Sequence, residues 1–402
     1  MASPTLVQAP TGVYVHVPYC RHRCPYCDFY LVVGRPTPAF TDALLADWSA
    51  ARELLAGVST LESVYLGGGT PGRMAPGEVG RLLEAIHAAI PLKAGAEVTL
   101  EVNPDDVTAE TLAGWRAAGV TRISLGVQAL DDATLRWLGR GHSAEETLGA
   151  LEAVAAAGFP TFSADIIFGA PQQPLSALDE AVRIMAGLAP HISAYCLTYE
   201  ENTNLGRRVE KGRVMPLDND VEADLYERVR DGLHRAGLRQ YEVSNHARPG
   251  HAAVHNRLYW AGAPTLGLGP AAASYLRFSD GTARRWRVAP DLDAYLRGER
   301  RAVDVDEMAP ALALRDRIFA GIRDLERGVD LRRLEVEHGV GVPDDVVAAL
   351  EREVAAGALE RVGEGRYRLT PSGALVGDRV ARGVVARDDD GNRPSPLTVL
   401  PS

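Results

Sequence analysis

The sequence is poor in cysteine and lysine, and it has no long hydrophobic run. Only 4 of its 402 residues are cysteine, which excludes a fold built on disulfides. Lys93 and Lys211 are the only lysines. No apolar run reaches about 18 residues, so we expect no membrane span. The first ten residues lack the basic and apolar regions of a signal peptide, and a cytoplasmic location is therefore expected.

The overall charge is acidic. The chain has 43 Lys and Arg against 53 Asp and Glu, a formal net charge of −10. Such a chain is a poor general ligand for nucleic acid or for an anionic membrane, so we expect neither as a partner. Hydrophobic residues make up 46% and charged residues 24%, which is typical of a globular protein and excludes wholesale disorder.

The first two hundred residues alternate between strand and helix patterns. Short β-branched or apolar runs predict strands at 13–17, 63–66, 98–102, 122–127, 161–168 and 192–197. Helical spacing is found at 39–55, 76–90, 109–118, 144–157, 175–188 and 222–236. This α/β pattern predicts a parallel sheet, either a partial (β/α)6 TIM-like barrel or an open doubly wound sheet. In both, the chemistry is expected at the carboxyl ends of the strands.

The pattern changes along the chain and predicts four parts. Residues 1–238 form the β/α core, and 239–289 form an irregular connecting segment that closes near the mouth of the barrel. Residues 290–385 read as a smaller, mainly helical, winged-helix-like domain, with helices at 331–338 and 343–356 followed by a hairpin. The tail 386–402, with three Asp and three Pro, is expected to be disordered.

Three of the four cysteines lie within eight residues, directly after the first predicted strand. Cys20, Cys24 and Cys27 have the spacing C-x3-C-x2-C. Three thiolates on a short loop can bind three irons of a [4Fe–4S] cluster and leave the fourth iron open to a small molecule. The alternatives are inert cysteines or a zinc site completed by His16 or His22. Cys196 is either a fourth ligand or a buried core cysteine.

This loop resembles the cysteine loop of the radical S-adenosylmethionine (SAM) superfamily. Further motifs at predicted strand ends are similar to those of the oxygen-independent coproporphyrinogen III oxidase family, along nearly the whole chain to about residue 380. They are found at 67–71 (GGGTP), 101–104 (EVNP), 126–128 (GVQ), 138–142 (LGRGH) and 165–171 (DIIFGAP). The resemblance implies a partial β/α barrel of radical SAM type, with SAM on the open iron of a [4Fe–4S] cluster.

The resemblance also implies a set of SAM contacts. Arg140 would bind the methionyl carboxylate, Glu101 the amine, and Gln128 and Asp165 the ribose hydroxyls. The implied set is Tyr14, Gly68, Gly69, Thr70, Glu101, Gln128, Arg140, Asp165 and, through its backbone, Thr198.

Two features distinguish the branches of this family. The oxidases have a fourth cysteine two residues after the last cluster ligand, whereas this chain has Phe29 there. The chain instead resembles the heme chaperone W branch, whose H-N-x-x-Y-W motif is matched by His255, Asn256, Tyr259 and Trp260. The resemblance implies that His255 ligates heme iron, that Asn256 orients it, and that the two aromatic residues lie against the porphyrin. His246 and His251 are competing ligands, and a buried His packed by aromatic residues is the alternative.

The expected function is therefore that of a heme chaperone with a [4Fe–4S] cluster and exchangeable SAM. Its expected partners are heme, a heme-acceptor protein and an electron donor such as flavodoxin or ferredoxin. The alternative is an oxygen-independent coproporphyrinogen III oxidase, which decarboxylates its substrate by radical chemistry. A third possibility is a zinc-binding module without redox chemistry. Whether SAM is cleaved in turnover is left open by the residues.

Overall fold

The computed structural model describes residues 5–384. Its central feature is a sheet of 12 strands, which is joined by a sheet of three strands and a short pair formed by Tyr19–Cys20 and Val32–Val33. The predicted disordered tail at 386–402 lies outside the described residues. No helix within 5–384 is long and apolar enough to cross a membrane.

Six parallel strands form the middle of the large sheet, each next to its predecessor in the chain. They are β1 (Gly12–Val17), β2 (Leu61–Gly68), β3 (Leu92–Val102), β4 (Arg122–Gln128), β5 (Thr161–Phe168) and β6 (His191–Cys196). The helices between them are α1 (Pro38–Ala51), α2 (Pro76–Ala89), α3 (Ala109–Ala117), α4 (Asp132–Trp137), α5 (Ala144–Ala156) and α6 (Leu175–Leu188). Short 3-10 turns occur at Arg52–Leu55, Pro71–Arg73 and Pro104–Asp106. The predicted α/β fold is confirmed.

The strand order distinguishes between the two predicted architectures. A doubly wound sheet reverses its strand order at a switch point, but the order of β1 to β6 does not reverse. Because parallel connections are right-handed, a single direction of progress puts the connecting helices on one face of the sheet. The other face is the inside of a partial barrel, and the doubly wound alternative is wrong.

The segment 239–289 is not irregular, and that part of the prediction is wrong. After α7 (Asn204–Glu210) and α8 (Asn219–Arg235), it contains five strands and one helix. They are β7 (Arg239–Gln240), β8 (Asn245–Ala247), α9 (Val254–Trp260), β9 (Thr265–Leu268), β10 (Ala273–Arg277) and β11 (Ala283–Val288). Strand β9 pairs in parallel with the free edge of β1. It is buried along its length, so it lacks the alternation of polar and apolar residues that identifies a half-buried strand.

The C-terminal part begins later than the predicted boundary at 290. After α10 (Leu292–Leu296), strand β12 (Ala302–Met308) pairs with β11 and belongs to the large sheet. A second hydrophobic core starts in the next helix, at Leu314. Its elements are α11 (Pro310–Gly321), β13 (Val329–Asp330), α12 (Leu331–His338), α13 (Asp344–Ala355), β14 (Leu359–Gly363), β15 (Arg366–Leu369), α14 (Pro371–Ala374) and α15 (Gly377–Val384). The two helices and the hairpin agree with the winged-helix-like outline.

Candidate functional site

The cysteine loop follows β1 and lies against the glycine-rich end of β2. Cys20 and Cys24 are buried and Cys27 is partly exposed, and all three are free thiols. The amide of Cys27 donates to the carbonyl of Cys24 at 3.3 Å, which folds the loop back on itself. A Cβ atom at Gly69 would lie 2.8 Å from the backbone of Pro18, so only glycine allows this close approach.

The zinc alternative needs His16 or His22 beside the three cysteines, and of these two His22 contacts Cys24. Within residues 5–384, no group of three or more His, Cys, Asp or Glu side chains could hold a metal ion. A single zinc ion needs its ligands around one point, whereas a cubane cluster presents a separate iron to each thiolate. Both ring nitrogens of His16 are engaged, Nδ1 with the hydroxyl of Tyr14 at 3.1 Å and Nε2 with the carbonyl of Tyr30 at 2.9 Å.

Cys196 lies at the end of β6 rather than in the cysteine loop. Its sulfur is 3.3 Å from the position that a Cβ at Gly169 would take. Its side chain packs against the main hydrophobic core of the barrel. These observations fit the core cysteine of the two predicted roles.

Asn103, which the sequence analysis did not single out, links two parts of the cysteine site. Its amide nitrogen donates to Thr70 Oγ1 at 2.9 Å, and its amide oxygen accepts from Arg140 Nη2 at 2.5 Å. Thr70 Oγ1 lies 3.5 Å from the sulfur of Cys20, and Arg140 Nη1 lies 3.7 Å from the sulfur of Cys24. Asn103 could have been found in the motif EVNP, because it directly follows β3 and functional residues are expected at the carboxyl ends of the strands.

Arg140 makes more protein contacts than its predicted role requires. Besides Asn103 and Cys24, it donates to the carbonyl of Gly126 at 3.1 Å and to His142 Nε2 at 3.1 Å. A carboxylate ligand would therefore meet a guanidinium whose orientation is already fixed by the protein.

Glu101 is a partly buried carboxylate to which no described cation is bonded. Its two oxygens accept from the hydroxyl of Tyr65 at 2.7 Å and from the amide of Gly68 at 3.0 Å. Burial, with a smaller contribution from the charge of Asp165, raises the pKa of Glu101 to about 8. A cationic ligand would favour the charged form, so this site fits the amine of SAM.

Two further predicted SAM residues have buried oxygens without a partner among the described residues. They are Oε1 of Gln128, the last residue of β4, and Oδ1 of Asp165, which lies three residues before the end of the neighbouring strand β5. Gln128 also adopts a left-handed backbone conformation, with φ of 66°. Buried acceptors are normally paired, and ribose hydroxyls are donors of the kind that these two lack.

The structure brings Tyr14 into the barrel but leaves Thr198 exposed. The ring of Tyr14 stacks on that of Tyr65, with centroids 6.1 Å apart and planes at 28°. Tyr65 was not predicted from the sequence, although it holds Glu101. Thr198 follows β6, and its side chain faces solvent.

His255 lies at the amino ends of the barrel strands, opposite the cysteines, whereas Gly269, directly after β9 in the same segment, packs on the backbone of His16 at the carboxyl ends. Only the part of the segment around His255 therefore lies away from the mouth of the barrel. Its Nδ1 is 2.8 Å from the hydroxyl of Ser63, and its backbone amide donates to Glu97 at 3.1 Å. Gly12, Ser63 and Glu97 form one row across the amino ends of β1, β2 and β3. Gly68, at the end of β2 that contacts the cysteine loop, lies five residues after Ser63, which is about 16 Å further along the strand.

The imidazole of His255 is enclosed by protein. The residue is 2% exposed, burial lowers the pKa of the ring to about 3, and Nε2 has no partner among the described residues. The neutral ring with a free nitrogen is suitable for a metal ligand, but a porphyrin cannot reach it while α9 is in place. The residues therefore do not form a heme site in this conformation. Ser63, rather than the predicted Asn256, orients the ring.

Tyr259 and Trp260 face the C-terminal part of the chain. Their rings meet edge to face with centroids 5.1 Å apart, and the guanidinium of Arg323 lies 5.6 Å over Trp260. Asn256 is only partly buried. Helix α9 therefore connects the amino ends of the barrel strands with the second hydrophobic core.

The two competing histidines occupy different surroundings. His246 is buried in β8, and neither ring nitrogen has a partner among the described residues. Nδ1 of His251 lies 2.9 Å from the hydroxyl of Thr161. Burial lowers the pKa of both rings, that of His246 to about 4.

The chain is similar to known proteins along most of its length. The model of the radical SAM superfamily matches residues 14–185. Heme chaperone HemW of Mycobacterium tuberculosis is 37% identical over 391 residues, which cover 93% of this chain and 94% of that protein. Heme chaperone HemW of Bacillus subtilis is 31% identical over 92% of this chain and 97% of that protein.

Two other similarities are partial or concern the fold alone. The mouse protein named radical S-adenosyl methionine domain-containing protein 1, mitochondrial, is 41% identical over 67% of this chain, and the match spans 62% of that protein. The solved coproporphyrinogen III oxidase HemN of Escherichia coli superposes with a TM-score of 0.78 at 20% identity, over 95% of this chain and 91% of that chain.

Proposed function

The chain belongs to the HemW heme chaperone family of radical SAM proteins, and we propose from this membership that it binds heme and transfers it to an acceptor protein. The observation that carries the proposal is the similarity to named heme chaperones along more than nine-tenths of the chain. Phe29, in the place of the fourth cysteine of the oxidases, supports the same branch. The structural likeness to HemN is at 20% identity, so it supports the fold and not the oxidase reaction.

We propose that Cys20, Cys24 and Cys27 hold a [4Fe–4S] cluster. When bound, the cluster supplies an open iron for SAM and a one-electron redox centre. Glu101 would accept a hydrogen bond from the SAM amine. Buried Gln128 Oε1 and Asp165 Oδ1 would accept from the ribose hydroxyls, which gives each of these atoms the donor that it lacks within the described residues.

Arg140 would bind the SAM carboxylate while it remains oriented by Asn103 and the carbonyl of Gly126. Its charge also lies beside the sulfur of Cys24 and favours the thiolate form that ligates iron. The remaining proposed contacts are Tyr14, Gly68, Gly69, Thr70 and the backbone of Thr198.

Heme is the proposed cargo, and His255 is its proposed ligand through Nε2. Since this nitrogen is enclosed, heme would reach it only after α9 moves away from the barrel. Asn256, Tyr259 and Trp260 move with the same helix and would contact the porphyrin in that open state. The proposed location is the cytoplasm, and the proposed electron donor is a flavodoxin or a ferredoxin.

The test is a hemin titration of anaerobically reconstituted protein, followed by transfer to apomyoglobin as a model acceptor. We expect a saturable Soret shift and then the spectrum of holomyoglobin. In parallel, the protein is incubated anaerobically with coproporphyrinogen III. An absence of bound heme, or formation of protoporphyrinogen at turnover rates, would contradict the proposal and favour the oxidase.

A further inference from the structure

Helix α7 and the turn that follows it present a group of unpaired basic side chains. Arg207, Lys211 and Arg213 are exposed, and Arg208 is half-buried; we call these four residues the basic surface. On nearby helices Arg183 binds Glu180, and Arg228 binds Asp179 at 2.5 Å. Within residues 5–384, no such ion pair involves the basic surface, and the bond from Arg207 to the carbonyl of Asn202 leaves its charge uncompensated.

The basic surface is attached directly to the cysteine loop. The amide of Leu205, in the first turn of α7, donates to the carbonyl of Pro25 at 2.7 Å. Pro25 immediately follows Cys24. Leu205 and Val214, at the two ends of the segment, join a small hydrophobic cluster with Tyr26 of the loop. The segment that carries the four charges is therefore held against the cysteine loop by a backbone hydrogen bond and by packing.

The sign of this charge is opposite to that of the whole protein. Residues 204–213 contain four basic residues and Glu210, a local charge of 4 − 1 = +3, whereas the chain carries −10. Glu200 and Glu201 lie at the near margin of the surface. An unpaired patch of one sign attracts a partner of the other sign and orients it at encounter. Met215, 74% exposed, adds an apolar contact next to the charges.

We propose that the basic surface binds an acidic one-electron carrier protein that reduces the cluster. This inference depends on the cluster of the proposed function. The reduced flavin or iron–sulfur centre of the carrier loses one electron and the oxidised cluster gains one, and no bond is formed or broken. A small patch on an acidic chain disfavours nucleic acid and anionic membranes, because their charge extends over a much longer surface and would meet the rest of the chain.

The experiment compares two variants with the same change in net charge. The test variant is R207Q/R208Q/K211Q/R213Q. The matched control is R332Q/R333Q/R361Q/R379Q, four exposed arginines of the C-terminal part. Binding of flavodoxin and of a [2Fe–2S] ferredoxin is measured by calorimetry at low and high salt. Reduction of the cluster by each reduced carrier and, separately, by dithionite is followed by the EPR signal of the reduced cluster.

We expect the test variant to bind the carriers about tenfold more weakly at low salt, with a smaller salt dependence, while the control stays within about twofold. Carrier-driven reduction of the cluster should slow in parallel, and reduction by dithionite should not change. A carbodiimide should cross-link Lys211 of the wild-type protein to a carrier carboxylate. Equal effects in both variants, or unchanged carrier binding, would overturn the proposal.

Other outcomes separate this proposal from the heme proposal. The same variants are tested with tRNA, with vesicles that contain phosphatidylserine and with apomyoglobin. Selective loss of one of these, with carrier binding intact, would reassign the surface and overturn the proposal. If the wild-type protein titrates normally with heme but the test variant binds the carriers as the wild type does, only this inference is wrong. If the wild-type protein binds no heme but the test variant selectively loses carrier binding, only the heme proposal is wrong.

Discussion

Arg140 donates a hydrogen bond to Asn103 across 2.5 Å, and through this contact the guanidinium beside Cys24 is joined to the hydroxyl beside Cys20. Two residues that the chain separates by 37 positions thus position both ends of the cysteine loop. The amide suits this position because it donates at one atom and accepts at the other.

The first prediction concerns this amide. Asn103→Leu leaves a buried donor of Arg140 without its partner, which costs about 1–3 kcal/mol. We expect SAM to bind about tenfold more weakly, as measured by the change in the EPR spectrum of the reduced cluster on SAM addition. Asn103→Asp keeps the acceptor for Arg140 and should lose less affinity. Equal losses in both variants would show that the bond to Arg140 is unimportant.

The second prediction concerns Glu101 and pH in SAM-free protein. The pKa of its carboxyl is near 4.5 in the unfolded chain and about 8 in the fold, chiefly because of burial. Between these values the fold retains a proton that the unfolded chain has lost, so the stability of the fold decreases as pH rises. Glu101→Gln should therefore gain stability relative to wild type from pH 5 to pH 8, measured by urea unfolding. Parallel pH profiles would contradict this assignment.

The same substitution should have the opposite effect on ligand binding. The amide introduced by Glu101→Gln cannot carry the negative charge that the SAM amine would meet, so SAM affinity should fall at least about tenfold at pH 8. The wild-type affinity should increase as pH rises toward the pKa of Glu101, and the variant should lack that increase. Equilibrium dialysis with labelled SAM at several pH values is the measurement.

A third prediction distinguishes the cysteines. Cys27→Ser removes a proposed cluster ligand, and iron after anaerobic reconstitution should fall from about four per chain to less than one. Cys196→Ser changes a thiol that packs against the core, outside the cysteine loop, and should leave iron and sulfide unchanged. Metal analysis and the visible spectrum provide the comparison. Loss of iron in the Cys196 variant would make that residue a fourth ligand and remove the open iron.

The fourth prediction separates ligation from packing at His255. His255→Ala should abolish the heme-dependent Soret shift and lower the melting temperature by several degrees, because it removes a buried ring. Ser63→Ala should also lower the melting temperature, since the ring loses its bond at 2.8 Å, but the Soret shift should remain. If the two variants behave alike in heme binding, His255 has a structural role only.

The fifth prediction tests whether α9 can move. The carboxylate of Glu97 accepts from the amides of Val254 and His255 and lies 3.7 Å from Arg122. Glu97→Gln weakens this connection, so the amides of α9 should exchange with deuterium about tenfold faster. Heme should then associate faster, as measured by stopped-flow absorbance. Faster exchange without faster association would separate α9 movement from heme access.

The sequence was sufficient for features that depend on local pattern. The alternation of apolar runs and helical spacing predicted β1 to β6 in their correct order, and the same strands carry Glu101, Gln128 and Asp165 in their carboxyl-terminal halves. Helix α12 was predicted at its observed bounds, since its apolar spacing is followed by Gly339 in a left-handed conformation. Such signals lie within one or two turns of the chain.

Features that depend on distant partners were not predictable in the same way. Ser63 and His255 are 192 residues apart, and nothing near Ser63 indicates that its hydroxyl meets an imidazole. Strand β9 has no alternating pattern because both of its faces are covered. Helix α9 lies at the amino ends of the barrel strands because the chain continues from it into β9, which pairs with the edge of β1 opposite β2.

The position of β9 beside β1 affects the order in which the protein can be completed during translation. Strand β1 leaves the ribosome before its second neighbour β9, which ends at Leu268, and Gly269 is anchored to Asp47 only after that. Until β9 has been synthesised, the strand that leads into the cysteine loop has one unpaired edge. Iron delivered to the nascent chain before that point would meet thiols on an incomplete wall, so cluster insertion is expected to follow the synthesis of β9.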